Sequence, residues 1–307
     1  MGKLLKLRGQ VLLNAAKVLA AGGYTPVELR EAIPYIREFQ HRIMVVKVGG
    51  SVLEKEPAPQ RTFFEDVAFM AHLGLRMILV HGGSRQLSER MRAEHIEPTI
   101  EDGERYTDRR TLRLAIEEFN KLNKEVVACI KAAGGKAVPF PAGRSDIVEA
   151  ERKGSDPKNF VGRVTRINAD RLRAVKDECI PVITCVGGND ELFNINADDV
   201  AAAIAKELKA EKLILLTDVE GVKDSRGDLI STLTVTRATR LLASRVISKG
   251  MVPKVKVCID ALKAGVNKAH IINGNAKGSL LCEVLTDGGV GTEIVMRKPD
   301  RVQRRSA

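Results

Sequence analysis

Lys47 stands inside the apolar run Ile43–Val48, which is unusual, because burying an ammonium group without a partner is costly. It leads into Gly49-Gly50-Ser51. Two glycines let a backbone approach a ligand closely, and their N–H groups can cradle phosphate oxygens; a tight turn beside a snorkelling lysine is the plain alternative. His81-Gly82-Gly83-Ser84-Arg85 likewise opens a helix, and a helix N-terminus suits a carboxylate or phosphate. His81 itself reads as structural. Arg105 lies in the short loop 102–108 and could clamp a carboxylate in a bidentate fork or simply be solvated. Asn194, Asn196 and Asp198 precede an Ala-rich helix; N-capping explains one of these three residues, not all of them. Thr217-Asp218 follows the run Leu213–Leu216, and Gly250-Met251-Val252-Pro253-Lys254 opens a further helix. Lys254 could join Lys47 at a polyanion site, although a lone helix lysine is usually solvated. The chain has no G-x-x-x-x-G-K-[ST] loop, no protein-kinase signature set and no G-x-S-x-G elbow.

These residues follow strands, and the strand pattern says how they are held. Short β-branched runs at Ile43–Val48, Met77–Val80, Lys136–Phe140, Val161–Ile167, Pro181–Val186, Lys212–Thr217, Ala269–Ile272 and Glu293–Val295 alternate with helical segments near 61–73, 85–94, 108–133, 197–209, 234–245 and 250–264. Met44-Val45-Val46 and Leu213–Leu216 are continuously apolar, as in a parallel sheet covered on both faces. The alternation predicts a three-layer α/β/α sandwich, whose ligands bind at the carboxyl ends of the strands. Ahead of it, Leu4, Leu5, Val11, Leu12, Ala15, Val18 and Leu19 form an amphipathic stripe. A second helix begins at Thr25-Pro26-Val27-Glu28, a capping box, and is expected to break or kink at Pro34.

Composition sets the outer limits. With 307 residues, 44% apolar and 29% charged, the chain can bury a large core, and disorder is excluded. Its 4% aromatic content and lack of Trp argue against a base-stacking nucleic-acid surface. The net charge of +11 could suggest a polyanion partner. Yet residues 1–50 hold eight Lys/Arg against three Glu, and residues 296–307 hold five against one Asp, so the centre of the chain is close to neutral. Cys129, Cys179, Cys185, Cys258 and Cys282 form no C-x-x-C pair and read as small buried hydrophobes in a reducing, cytoplasmic setting. No apolar run approaches the ~18 residues of a membrane span.

Taken in order, the segments resemble the amino-acid kinase family, and within it the branch that acts on N-acetylglutamate. The resemblance runs from about Leu29 to Val295 and rests on Lys47-Val-Gly-Gly, His81-Gly-Gly, Asn123-Lys-Glu-Val126, Asn194-Ile-Asn-Ala-Asp198, Leu215-Leu-Thr-Asp218-Val-Glu-Gly-Val222, Gly250-Met-Val-Pro-Lys254 and Gly291-Thr292. It implies an open, mainly parallel eight-stranded sheet whose N-terminal half binds the acyl-amino acid and whose C-terminal half binds ATP. The implied reaction is MgATP-dependent phosphorylation of the side-chain carboxylate of N-acetyl-L-glutamate, the second step of arginine biosynthesis, with Mg2+ carried by ATP rather than by a resident metal site. By the same resemblance Lys47 and Lys254 flank the transferring phosphoryl group and Asp198 holds both ammonium groups. Gly49, Gly50 and Gly82 donate to phosphoryl oxygens, with Gly83 beside them. Arg105 and Asn194 hold substrate carboxylates, with Asn196 close by. Thr217, Asp218, Gly250 and Met251 lie near the nucleotide. The implied organisation is a helical extension over 1–40, a kinase domain over 41–295 and a basic tail over 296–307. The segment Leu29–Phe39 resembles that of arginine-sensitive members, which implies a homo-oligomer, dimer or hexamer, and feedback inhibition by arginine bound between this helix and the C-terminal lobe.

The pattern is broken at four places. Ser84 stands where a third glycine is expected, Val48 where an aromatic is common, and Pro139–Gly143 replaces a Gly-Leu-Ser-Gly stretch. Lys277-Gly-Ser-Leu-Leu-Cys-Glu283 departs from the pattern near the expected arginine site. Three alternatives follow: a kinase for a related acid of the aminoadipate type, a non-catalytic arginine-sensing domain, and a polyanion-binding protein. The last predicts steeply salt-dependent DNA binding.

Overall fold

Continuous β-branched runs and amphipathic helices alternate in the computed structural model, which describes residues 26–49, 52–53, 57–101, 104–143 and 147–297. The stripe between Leu4 and Leu19, Thr25 of the capping box, Gly50 and nearly all of the basic tail lie outside the described residues.

The elements run in order as α1 (Pro26–Phe39), β1 (Ile43–Val48), α2 (Pro57–His72), β2 (Arg76–His81), α3 (Ser84–Ala93), β3 (Ile100–Glu101), β4 (Glu104–Arg105), α4 (Arg109–Ala132) and β5 (Lys136–Phe140). Then come β6 (Val148–Arg152), β7 (Val161–Ile167), α5 (Ala169–Arg173), β8 (Cys179–Thr184), β9 (Val186–Gly188) and β10 (Leu192–Ile195). The last are α6 (Ala197–Glu207), β11 (Lys212–Thr217), β12 (Thr232–Thr234), α7 (Val235–Ala243), α8 (Met251–Lys263), β13 (Lys268–Asn273), α9 (Ser279–Leu285) and β14 (Thr292–Val295).

Eight strands form the main sheet in the order β12-β14-β13-β11-β1-β2-β8-β5. Pairing from β5 to β13 is parallel, while β14 runs antiparallel to β13. The expected architecture is therefore present. Two assignments within it change. Val161–Ile167 belongs to a separate four-stranded sheet, β6-β7-β10-β9, and the eighth place in the main sheet goes to β12. A three-residue strand such as β12 carries too few residues to show a period. The second change is at Pro34, where α1 continues to Phe39 instead of breaking. Proline removes one N–H, but Ala32, Ile36 and Phe39 are all buried on one side of the helix and hold it in place.

Helices cover both faces of the sheet. Val45, Leu213 and Leu215 pack in a core with α6 and α8, while Met44, Val46, Ile214 and Leu216 pack in a second core with α1, α2 and α9. Side chains alternate along a strand, so Lys47 emerges on the Val45 side, toward α6 and α8. After β1 the chain crosses to β2 on one side, while β11 returns on the other. The carboxyl end of β1 is thus the point where the strand order reverses, which is where an open α/β sheet leaves a crevice.

Candidate active site

Asp198 is the hub of that crevice. Asn196 caps α6, its side-chain oxygen accepting the Asp198 N–H at 2.9 Å, which fixes the first turn of the helix. Ala197, Ala201 and Ala202 bring α6 close under the sheet, and the Asp198 carboxylate is buried. Lys254 Nζ, one turn into α8, donates to Asp198 Oδ2 at 2.7 Å. Lys47 Nζ forms an ion pair with Oδ1 at 3.0 Å, so the two lysines share one carboxylate through its two oxygens. Burial alone would raise the Asp198 pKa, but the Lys47 and Lys254 ammonium groups outweigh it and hold the carboxyl down at about 2. Two cations on one anion leave a surplus positive charge, which suits a phosphoryl group.

A cavity of about 170 Å³ opens beside this trio, with Lys47, Gly49, Gly82, Arg105, Asn194 and Asn196 in its wall. Gly83, Ser84 and Cys185 also line it. Gly82 enters the wall without a free donor, because its N–H donates to the Val48 carbonyl at 3.2 Å. This changes the role expected of it: a bound oxygen would have to displace that bond. Burial keeps His81 neutral, with a pKa near 4, and Asn123 Nδ2 lies 3.1 Å from its Nε2; the ring is a structural strut, as read from the sequence.

Arg105 sits on β4, buried among α3 residues rather than solvated. Its carbonyl accepts the Thr107 hydroxyl at 2.8 Å, and Thr107 Oγ1 accepts Asn194 Nδ2 at 3.1 Å. Asn159 Oδ1 in turn accepts the N–H groups of Thr107 and Val161. The two expected carboxylate binders are therefore tied together through Thr107, a residue that no sequence signal singles out. Thr217 and Asp218 stand at the carboxyl end of β11 next to β1, with the Thr217 hydroxyl donating to Asp218 at 3.2 Å. Gly250 caps α8, and Met251 is its first residue, one turn before Lys254. None of these four lines the cavity; they stand on the C-terminal side of Asp198.

A second buried polar cluster lies where α1 meets the C-terminal strands. Glu283 of α9 accepts His270 Nδ1 at 2.6 Å and the N–H groups of Val290 and Gly291 at 2.7 and 3.1 Å. Lys212 Nζ is 3.5 Å from His270 Nε2 and 4.9 Å over the ring of Phe39. Burial, with Lys268 nearby, lowers the Lys212 pKa to about 8. Of the cysteines, only Cys185 and Cys258 are fully buried, so the reading of all five as core residues is corrected for Cys129, Cys179 and Cys282. Among the described residues no helix is long and apolar enough to cross a membrane.

The sequence profile described as the amino acid kinase family matches residues 42–273. Acetylglutamate kinase of Syntrophus aciditrophicus is 41% identical over 284 residues, covering 87% of this chain and 96% of that protein. The enzyme of the same name from Prochlorococcus marinus is 36% identical over 274 residues, covering 87% and 96%. Among solved structures, N-acetylglutamate synthase from Neisseria gonorrhoeae, complexed with coenzyme A and N-acetyl-glutamate, superposes with a TM-score of 0.81 at 26% identity. That match covers 88% of this chain and 63% of that one. The same synthase with coenzyme A and L-arginine gives 0.77 at 25% identity, covering 88% and 65%. Carbamate kinase from Giardia lamblia, at 12% identity and a TM-score of 0.60, covers 83% and 98% and shares the fold.

Proposed function

The chain belongs to the amino acid kinase family, and from that premise we propose that it transfers the γ-phosphoryl group of ATP to the side-chain carboxylate of N-acetyl-L-glutamate. The product is N-acetyl-L-glutamyl 5-phosphate, the second intermediate of arginine biosynthesis. The observation that carries this reading is the pair of lysines held on one buried carboxylate beside a cavity that also contains Arg105.

The chemistry follows from charge. A carboxylate oxygen attacks the γ-phosphorus in line, a P–O bond forms, and ADP leaves with the electron pair of the broken bond. Both reactants are anions, so the barrier falls where fixed cations and N–H donors meet the charge spread over the transferring oxygens. Lys47 and Lys254 supply the cations, and Asp198 keeps them from swinging apart. Gly49 and Gly50 are the donors proposed for phosphoryl oxygens, and Thr217, Asp218, Gly250 and Met251 the neighbours of the nucleotide. Arg105 and Asn194 hold the substrate carboxylate that does not react, with Gly82, Gly83 and Asn196 forming the wall around it. The charged and amide groups lining the cavity are Lys47, Arg105, Asn194, Asn196 and Glu104, the last paired with Lys153, a set that fits an anion. Mg2+ is proposed to enter as the counter-ion of ATP, shielding charge on its phosphates.

Arginine is proposed as a feedback inhibitor, bound where α1 meets the C-terminal lobe. The buried Lys212–His270–Glu283 cluster against Phe39 supports a polar ligand site there, as does the arginine complex of the gonococcal synthase. Residues 1–40 serve as the oligomerisation and regulatory extension, and 41–295 as the kinase domain, in a cytoplasmic homo-oligomer. ATP-coupled turnover of N-acetylglutamate, N-acetylaminoadipate and free glutamate, with and without arginine, tests the whole reading. Preference for the first acid and inhibition by arginine are expected; tight arginine binding with no turnover would sink the kinase assignment.

A further inference from the structure

Arg105 is buried, and among the described residues no carboxylate pairs with it. Its oxygen partners all belong to α3. Nη2 donates to the Ser84 carbonyl at 2.7 Å, to Ser84 Oγ at 3.0 Å and to Ser88 Oγ at 2.6 Å, while Nη1 reaches Met91 Sδ at 3.3 Å. The Ser88 hydroxyl proton goes to the Ser84 carbonyl at 2.9 Å, which turns the Ser88 lone pairs toward the guanidinium. Nη2 has two protons and three oxygen acceptors, so it has no slack to rotate. A guanidinium buried on neutral acceptors alone is short of an anion, and both Arg105 and Ser84 line the cavity.

We propose that Ser84 and Ser88 are positioning residues that fix the Arg105 guanidinium and thereby set the length of dicarboxylate the site accepts. The inference rests on the functional reading above and adds a specificity device to it. A substrate with two carboxylates must span from the reacting end at Lys47 to the guanidinium. Lys47 is fixed by its strand and by Asp198. Arg105 stands on a two-residue strand, and the Ser84 carbonyl together with the two hydroxyls of α3 holds its guanidinium in place. With both ends fixed, an acid one methylene longer fits badly, and a methylene is worth roughly 10–200-fold in discrimination. Loosening the clamp lets the guanidinium withdraw and admits the longer acid.

The test is the double variant Ser84→Ala/Ser88→Ala, assayed with N-acetylglutamate and N-acetylaminoadipate. KM for N-acetylglutamate should rise about tenfold, the weight of a hydrogen bond to a charged group, with a smaller fall in kcat. The ratio of kcat/KM between the two acids should narrow about tenfold, and Ser84→Thr/Ser88→Thr, which keeps both hydroxyls, should restore it. An unchanged ratio overturns the proposal, whether kcat and thermal stability hold or fall with it, since a purely structural role lowers both acids alike. Calorimetric binding of N-acetylglutamate without nucleotide separates this from the kinase reading. Wild-type binding without turnover sinks the phosphoryl transfer and leaves the clamp to be judged by the variant's affinity. Neither binding nor turnover sinks both.

Discussion

Removing Lys254 leaves Asp198 paired with Lys47 alone, so the carboxylate stays compensated and the fold should survive. What is lost is one cation from the transition state. Lys254→Ala should therefore lower kcat by roughly 10²–10³, as for loss of a charge-stabilising donor, with KM for N-acetylglutamate little changed. Steady-state kinetics of the purified variant decide this, and turnover close to wild type would remove Lys254 from the reaction. At this scale the sequence was informative where chemistry and chain position coincide. Lys47 was visible because a lysine in an apolar strand needs a reason, and Asp198 because capping could not account for all three of Asn194, Asn196 and Asp198. The residues that hold Arg105 and Asn194 were not visible. Ser84 and Ser88 lie about 20 positions from Arg105, and Thr107 lies 87 from Asn194, so only the folded chain brings them together.

Helices place these groups, and their packing can be tested apart from the chemistry. A Cβ on Gly83 would stand 2.6 Å from Leu122 Cδ1 and 2.8 Å from two ring atoms of Phe119, so α3 would have to move off α4. Gly83→Ala should cost about 1–3 kcal/mol in urea unfolding, in the range of overpacked cores, and raise KM because α3 carries the Arg105 clamp. Gly250, with nothing within 4 Å of a built Cβ, should tolerate alanine at little cost in stability. Asp66 of α2 gives a pH signature. Burial, reinforced by Glu65, raises its pKa to about 7, while the backbone of Leu281 in α9 and the charge of Lys277 partly offset this. The folded chain therefore holds a proton that the unfolded chain releases near pH 3.8, and stability falls as pH rises from about 4 to 7. That difference is worth up to roughly 4 kcal/mol. Asp66→Asn should raise the midpoint of thermal unfolding at pH 8 and leave it little changed at pH 4; an equal effect at both pH values would contradict a buried, protonated Asp66. No feature of the sequence marked Asp66, since its neighbours Leu281 and Lys277 are over 200 residues away. The long helices and central strands were legible because each carries several turns or pairs of periodic residues. The three-residue β12 and the seven-residue α9 fall below that threshold.

Across the whole molecule, the topology explains why one crevice collects residues from 47 to 254. β1 is central, with β2 and β11 on either side, so the halves of the chain meet at its carboxyl end. The net charge of +11 finds no counterpart in this geometry, because the excess lies in the first 50 and last 12 residues, while within the site Lys47 and Lys254 are paired with Asp198. The N-terminal excess instead coincides with the apolar stripe from Leu4 to Leu19. Seven apolar side chains at helical spacing need a partner surface, and a second copy of the chain is the one proposed. Deleting residues 1–25 removes the stripe and nothing of the proposed site, whose first residue is Lys47. The truncated chain should sediment as a smaller species than the full chain at the same concentration. Its kcat/KM for N-acetylglutamate should stay within about threefold, because each buried interaction of the Lys47–Asp198–Lys254 trio is made inside one chain. Identical sedimentation of the two chains across a hundredfold range of concentration would reject the extension as an oligomerisation element. Loss of activity together with loss of assembly would show that the crevice depends on the neighbouring copy.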